Sequence, residues 1–149
     1  MTPSVKIITD GSALSTGSVG GWAAILQYDV NGVMIEKELS GRIDLATNQR
    51  AELQAVIEGL KALKQSCAVE LISDSEYVVK GSNYWLARWV YKGWCTKGHK
   101  PVANLDLWKQ IYELKQLHQV KATWVKGHSS NPWNNRCDEL ANQARLSVV

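Results

Sequence analysis

Hydrophobic positions change their spacing along the chain, and each change marks an element. Val5, Ile7 and Ile8 give Ser4–Thr9 the β-branched character of a strand, and Asp10-Gly11-Ser12 after it is a turn signal. Gly17–Gly21 predicts a flexible connection. Trp22–Tyr28 predicts a second strand, Asp29–Gly32 a turn, and Val33–Leu39 a third strand with partial alternation. Such short links predict an antiparallel meander. The spacing then shifts to steps of three and four. Leu53, Val56, Ile57, Leu60 and Leu63 form one apolar helical stripe, and Thr47 or Asn48 can cap it.

Val69–Ser73 predicts a short buried strand. Ser75 can cap a short helix ending near Gly81, and Tyr84–Tyr91 predicts another. Gly93–Ala103 predicts a loop, Leu105–Leu117 a helix, Val120–Val125 a strand, and Gly127–Asn135 a polar loop containing Pro132. Asn135–Leu146 predicts the closing helix. The order is β-β-β-α-β-α-α-α-β-α, and late strands joined through helices run parallel. The fold class is therefore α/β. One mixed five-stranded sheet is flanked by helices, its first three strands antiparallel and the later ones parallel. No linker or repeat divides the chain, so residues 1–149 are expected to form a single domain.

Composition narrows the function classes. No apolar run is long enough for a membrane-spanning helix, and the start lacks the basic-then-apolar layout of a signal peptide. Cys67, Cys95 and Cys137 are odd in number and lack C-x-x-C spacing, which predicts free thiols in a reducing cytoplasm. A cytoplasmic monomer with no membrane partner is the expectation. The net charge is +3, and setting aside the acids discussed next leaves a more basic body. An acidic pocket on a basic body suits cations and a polyanion together.

Four acids stand at or near junctions between elements: Asp10, Glu52, Asp74 and Asp138. Asp10 and Asp74 close predicted strands, and Glu52 and Asp138 lie in early turns of predicted helices. Taken singly, Asp-Gly is a turn signal and an early Glu complements the helix dipole. Together, four oxygen donors from four elements can converge where strands leave a sheet. Close carboxylates resist joint ionisation, so cations are implied. Mg²⁺ suits such donors at about 2.1 Å and keeps water or substrate phosphate in its shell. Two ions about 4 Å apart can serve in-line phosphoryl displacement. No Cys/His spacing suits zinc.

Five segments carry a family resemblance. They are Thr9–Ser12, Thr47–Leu53, Ser73–Val78, Asn104–Trp108, and Trp124–Ser129 with Asn135–Ala141. In order and spacing they resemble ribonuclease H, type 1, of the single-domain bacterial or phage kind, over almost the whole chain. The resemblance implies an endoribonuclease that cleaves the RNA strand of RNA–DNA hybrids with Mg²⁺, leaving 5′-phosphate and 3′-hydroxyl ends; Mn²⁺ is a possible substitute. It implies that Asp10, Glu52, Asp74 and Asp138 hold two metal ions, and that Glu52 also contacts an RNA 2′-hydroxyl. His128 would assist proton transfer or product departure, as imidazole can near neutral pH. Asn48 and Gln49 would read RNA in the minor groove. Thr47 and Asn104 would grip a DNA phosphate, although helix capping and turn-making are alternative roles for these four.

Trp85–Ala103 resembles the family's basic protrusion. Trp85, Trp89 and Trp94 interleave with Arg88, Lys92, Lys97 and Lys100, and Trp85 matches a DNA-facing position. Helical spacing equally allows Trp85 and Trp89 to be core. Thr16, Glu76, Val90 and Tyr91 depart from the family pattern, which implies a weaker grip on substrate. Two other classes remain in view: a non-catalytic hybrid-binding module, and a related-fold nuclease that processes DNA. The four acids argue against the first, and Asn48-Gln49 against the second.

Overall fold

A computed structural model of the chain describes residues 2–13, 18–96, 98–127 and 131–146. The strands are β1 (Ser4–Ala13), β2 (Ser18–Val30), β3 (Val33–Ala46), β4 (Ala68–Ser73) and β5 (Gln119–Trp124). The helices are α1 (Asn48–Lys61), α2 (Glu76–Lys80), α3 (Leu86–Tyr91), α4 (Leu105–Leu117) and α5 (Pro132–Leu146). The sheet order is β3-β2-β1-β4-β5. β1, β2 and β3 pair antiparallel, while β1–β4 and β4–β5 are parallel. The expected mixed five-stranded sheet is therefore present.

β1 lies at the centre and is covered on both faces. Val5 and Ile7 pack with Leu53, Val56, Ile57 and Leu60 of α1 and with Trp108 and Ile111 of α4. Ile8 faces the other way, with Ala23 and Ile25, onto Cys137, Leu140 and Ala141 of α5. A strand buried on both sides carries a nearly continuous apolar run, which explains Ile7-Ile8. Each fully buried Ile or Leu here contributes on the order of 1.5–3 kcal/mol.

Several boundaries differ from the sequence expectation, each for a local reason. β1 does not end at Thr9: Asp10, Gly11 and Ser12 continue it, opposite Ala23, Trp22 and Gly21. Ladder pairing overrides the Asp-Gly turn preference. β2 and β3 also run longer than expected, because their two-residue turn at Asn31-Gly32, both with positive φ, keeps them in register. Gly81 does not end the helix after β4. α2 runs through a π-helical turn, Gly81–Trp85, into α3. A Cβ on Gly81 would fall 2.1 Å from the Trp108 ring, so glycine lets this segment lie directly on that buried indole. The π turn sets Asn83 beside β5, where its amide accepts from Ala122 N at 3.0 Å and donates to Ala122 O at 2.8 Å. That side chain replaces a missing strand partner. α5 begins at Pro132 rather than Asn135, since proline is at ease in a first helical turn.

α5 approaches β2 through Gly21, where a Cβ would lie 2.1 Å from the Ala141 carbonyl oxygen and 2.6 Å from Arg145 N. These are backbone atoms with no easy escape. Gly21→Ala is expected to cost roughly 2–3 kcal/mol, the upper range of overpacking, by lifting α5 from the sheet. Urea denaturation checks this: the midpoint falls, and an unchanged midpoint contradicts the close docking.

Candidate active site

Register brings the first two acids level. Ile8 of β1 stands opposite Ile72 of β4, so Asp10, still within β1, and Asp74, just past the end of β4, each two residues further on, come level with one another. Gly11 brings the third. A Cβ there would fall 2.3 Å from Glu52 N and 2.4 Å from the Ala51 carbonyl carbon. Only hydrogen fits, so α1 lies against β1 and delivers Glu52 to Asp10. Carboxylate oxygens of Asp10, Glu52 and Asp74 all lie within 4.8 Å of one another. Asp138, on α5, reaches Asp10 through hydrogen bonding and charge. It lies outside that compact group of three.

Electrostatics show what the cluster can hold. Asp10 is only 3% exposed. Burial, and then the Asp74 carboxylate, pushes its pKa from 3.8 up to about 8. Burial and then Asp10 hold Glu52 well above the ordinary carboxylate range. Glu52 is half-buried as a residue, but its Oε2 is fully enclosed without a hydrogen-bond partner. Among the described residues, no lysine or arginine forms an ion pair with Asp10 or Glu52. Clustered, desolvated oxygen donors with an unpartnered oxygen fit a hard divalent cation. Behind them Cys137 lies buried, its Sγ 3.4 Å from Ile8 O and 3.3 Å from Ala23 O. Burial, then the acids, raises its pKa, so it stays a thiol and takes no part.

His128 lies outside the described residues, as do Thr16 and Lys97. Gly127, just before His128, is in place: a Cβ on it would come within 2.8 Å of Asp74 Oδ2. Gly127 thus lies at the edge of the acidic group.

The remaining named positions lie on two neighbouring patches. Thr47 is the N-cap of α1, its hydroxyl oxygen accepting from Arg50 N at 3.1 Å. Asn48 does not cap; its Oδ1 accepts from Ala13 N at 2.8 Å and ties α1 to the end of β1. Gln49 is exposed. Asn104 precedes α4 in the left-handed region, φ 57°, without capping its own helix. Its side chain instead bonds Arg50 and the Tyr77 hydroxyl. Trp85 is half-buried, at 5.9 Å from Tyr77 and 5.8 Å from Trp89 between ring centres. Trp89 packs on Trp108 at 5.3 Å and is largely a core residue. Trp94 packs on Tyr112, with Lys109 Nζ 5.8 Å from its ring centre, and Arg88, Lys92 and Lys100 are exposed nearby. Arg50 and Tyr77 are the residues that sequence spacing does not single out. Their partners Asp106, Asn104 and Trp108 are remote in the chain, so no local period reveals them.

The ribonuclease H family profile matches residues 2–145. The chain belongs to the ribonuclease H family. Ribonuclease H of Solibacter usitatus is 50% identical over 140 residues, covering 94% of this chain and 93% of that protein. Ribonuclease H of Chlorobium limicola is 50% identical over 145 residues, 97% of each. Among solved structures, a type 1 ribonuclease H with the type 2 active-site motif superposes with TM-score 0.88 at 28% identity, covering 97% of this chain and 73% of that one. A foamy viral protease–reverse transcriptase in complex with RNA/DNA hybrid superposes with TM-score 0.83 at 25% identity, covering 98% of this chain and 20% of that one. As a family member the chain is a ribonuclease, and its acidic cluster is the part of the fold able to hold a divalent cation.

The raised Asp10 pKa makes stability depend on pH in a stated direction. Between 3.8 and about 8 the folded protein keeps a proton that the unfolded chain has lost. Without divalent ions, stability from this group is therefore full below about pH 4 and falls as pH rises to about 8. Glu52 adds to the same trend. Thermal melts in EDTA check this: the midpoint declines across that window, and Asp10→Asn flattens the decline. An unchanged slope in the variant contradicts the assignment.

Proposed function

We propose that this chain hydrolyses the RNA strand of RNA–DNA hybrids by a two-metal-ion mechanism, leaving 5′-phosphate and 3′-hydroxyl ends. The observation that carries the reading is the convergence of Asp10, Glu52 and Asp74, with Asp138 beside Asp10. Family membership and the foamy viral neighbour's RNA/DNA hybrid support the substrate. The site's oxygen donors favour Mg²⁺, with Mn²⁺ as a substitute. Bound there, the ions would lower the pKa of water and offset charge on the scissile phosphate.

The protein's own groups divide the remaining work. Asp10, Asp74 and Asp138 would hold the ions, together with Glu52. Glu52, with its unpartnered Oε2, serves as ligand and contacts the RNA 2′-hydroxyl. Exposed Asn48 and Gln49, at the start of α1, read that strand's minor groove. Thr47 and Asn104 hold a DNA phosphate, and Trp85 offers an aromatic face beside it. His128, following Gly127 at the edge of Asp74, moves a proton at the leaving oxygen. The unit acts as a single-domain monomer of residues 1–149 in the cytoplasm. Among the described residues, no helix is long and apolar enough to cross a membrane.

Labelled hybrid, double-stranded RNA and double-stranded DNA, each with Mg²⁺ and with EDTA, test the reading. Only the hybrid with Mg²⁺ should yield RNA fragments. Asp10→Asn should lower cleavage by roughly a hundredfold or more, because it weakens the hold on the ions that offset transition-state charge, while hybrid binding remains. Binding without fragments would leave a non-catalytic module, and cleavage of the DNA duplex would point to a DNA-processing enzyme.

A further inference from the structure

A glycine sets Arg145, in the last turn of α5, over the end of β1. Gly21 of β2 pairs with Ser12 of β1, and a Cβ on Gly21 would lie 2.6 Å from Arg145 N. The bare backbone there lets α5 bring Arg145 beside Ser12, two residues beyond Asp10. Arg145 Nε donates to Ser12 Oγ at 3.1 Å, and Nη2 to Asn142 Oδ1 at 3.3 Å. Ser12 Oγ in turn donates to Asn142 Oδ1 at 2.6 Å. Asn142 Nδ2 donates to the Asp138 carbonyl oxygen at 3.0 Å, which fixes the end of that amide carrying oxygen. Both lone pairs of Asn142 Oδ1 are therefore taken. A guanidinium has five N–H groups. Among the described residues, two of those of Arg145 find acceptors and three find none.

The charge is unbalanced as well. Arg42, Arg50 and Arg136 each reach a carboxylate. Arg145 is half-buried, and among the described residues no carboxylate lies within ion-pair distance of it. Its partners are neutral, so they orient the fork without offsetting its charge. Such a group suits an incoming phosphate, which it can meet with two parallel bonds.

Position distinguishes the strands of a hybrid. Arg145 follows Asp138 by seven residues, two turns along the same face of α5. Its contact with Asn142, three residues earlier, brings the guanidinium back toward Asp138. α5 covers one face of the sheet, and α1 and α4 cover the other. Thr47 and Asn104, which hold the DNA phosphate, stand on the α1–α4 side. The acids lie between them and Arg145. The RNA strand crosses the acids, so its neighbouring phosphates come to the α5 side.

We propose that Arg145 holds a non-bridging oxygen of an RNA-strand phosphate adjoining the cleaved one, with Ser12 and Asn142 orienting its fork. The assignment rests on the hybrid-cleaving reading and adds an RNA-backbone contact to it.

Arg145→Gln should raise KM for hybrid roughly tenfold, the scale of one lost charge-assisted contact, with kcat near the original. The slope of log KM against log salt concentration should also fall by about one. Loss of the Ser12 and Asn142 bonds alone would leave that slope unchanged. Arg145→Lys keeps the charge, and it should keep the slope while recovering only part of the affinity. A single phosphorothioate stepped along the RNA strand locates the contact. At one position flanking the cleaved bond it should raise KM for the unmodified chain but not for Arg145→Gln. With hybrid still cleaved, an unchanged salt slope in Arg145→Gln would overturn the Arg145 assignment alone. So would a walk with no such position, or coupling found only at a DNA phosphate neutralised as methylphosphonate. No hybrid cleavage by the unmodified chain would overturn the reading beneath it, and this assignment with it.

Discussion

Carboxylates buried side by side are the constraint around which the rest of this structure is arranged. Two unit charges about 4 Å apart repel by about 4 kcal/mol at an effective dielectric of 20, before desolvation is counted. Asp10 and Glu52 face both penalties. A flexible site would relieve them by moving apart. Here Asp10 is held in the central strand by pairing with β2, while β4 pairs with the same strand just before it. The repulsion has two outlets, a bound proton or a bound divalent cation, and the second makes the strain useful.

What holds the acids in place is backbone packing rather than surface charge. Gly11 lets α1 touch β1, and Gly21 lets α5 touch β2. The ion pair that also joins α5 to β3, Arg136 with Glu38, lies on exposed side chains, and the Arg136–Glu139 pair stays within α5. Such pairs contribute little in water. Asp138 is therefore positioned chiefly by the burial of Cys137, Leu140 and Ala141 against Ile8, Ala23 and Ile25. The patch around Asn104 follows a different logic. Arg50, Asn104, Tyr77 and Trp108 join α1, α2 and α4 through directed hydrogen bonds, so those helices share one polar junction.

Much of this was legible in the chain. The stripe from Leu53 to Leu60 is the buried face of α1, and Thr47 is its cap, because helix period and capping are local properties. The four acids were visible as a set through their motifs. The errors came where long-range contacts overrule local preference. Asp10-Gly11-Ser12 carries a turn signal, yet pairing with β2 keeps it in a strand. Gly81 reads as a helix end, yet it is the point where the chain slides over Trp108. The ties among Arg50, Asp106, Asn104 and Tyr77 span separations of 27 to 56 residues, and no spacing rule reaches that far.

The most direct test of the central claim counts protons during Mg²⁺ binding. With Asp10 pushed up to about 8, the metal-free site holds protons at pH 7 that an ion must expel. Calorimetric titration in buffers of different ionisation enthalpy should show proton release at pH 7 that fades by pH 9. Mg²⁺ binding without proton release at pH 7 would contradict a site built on crowded, desolvated acids.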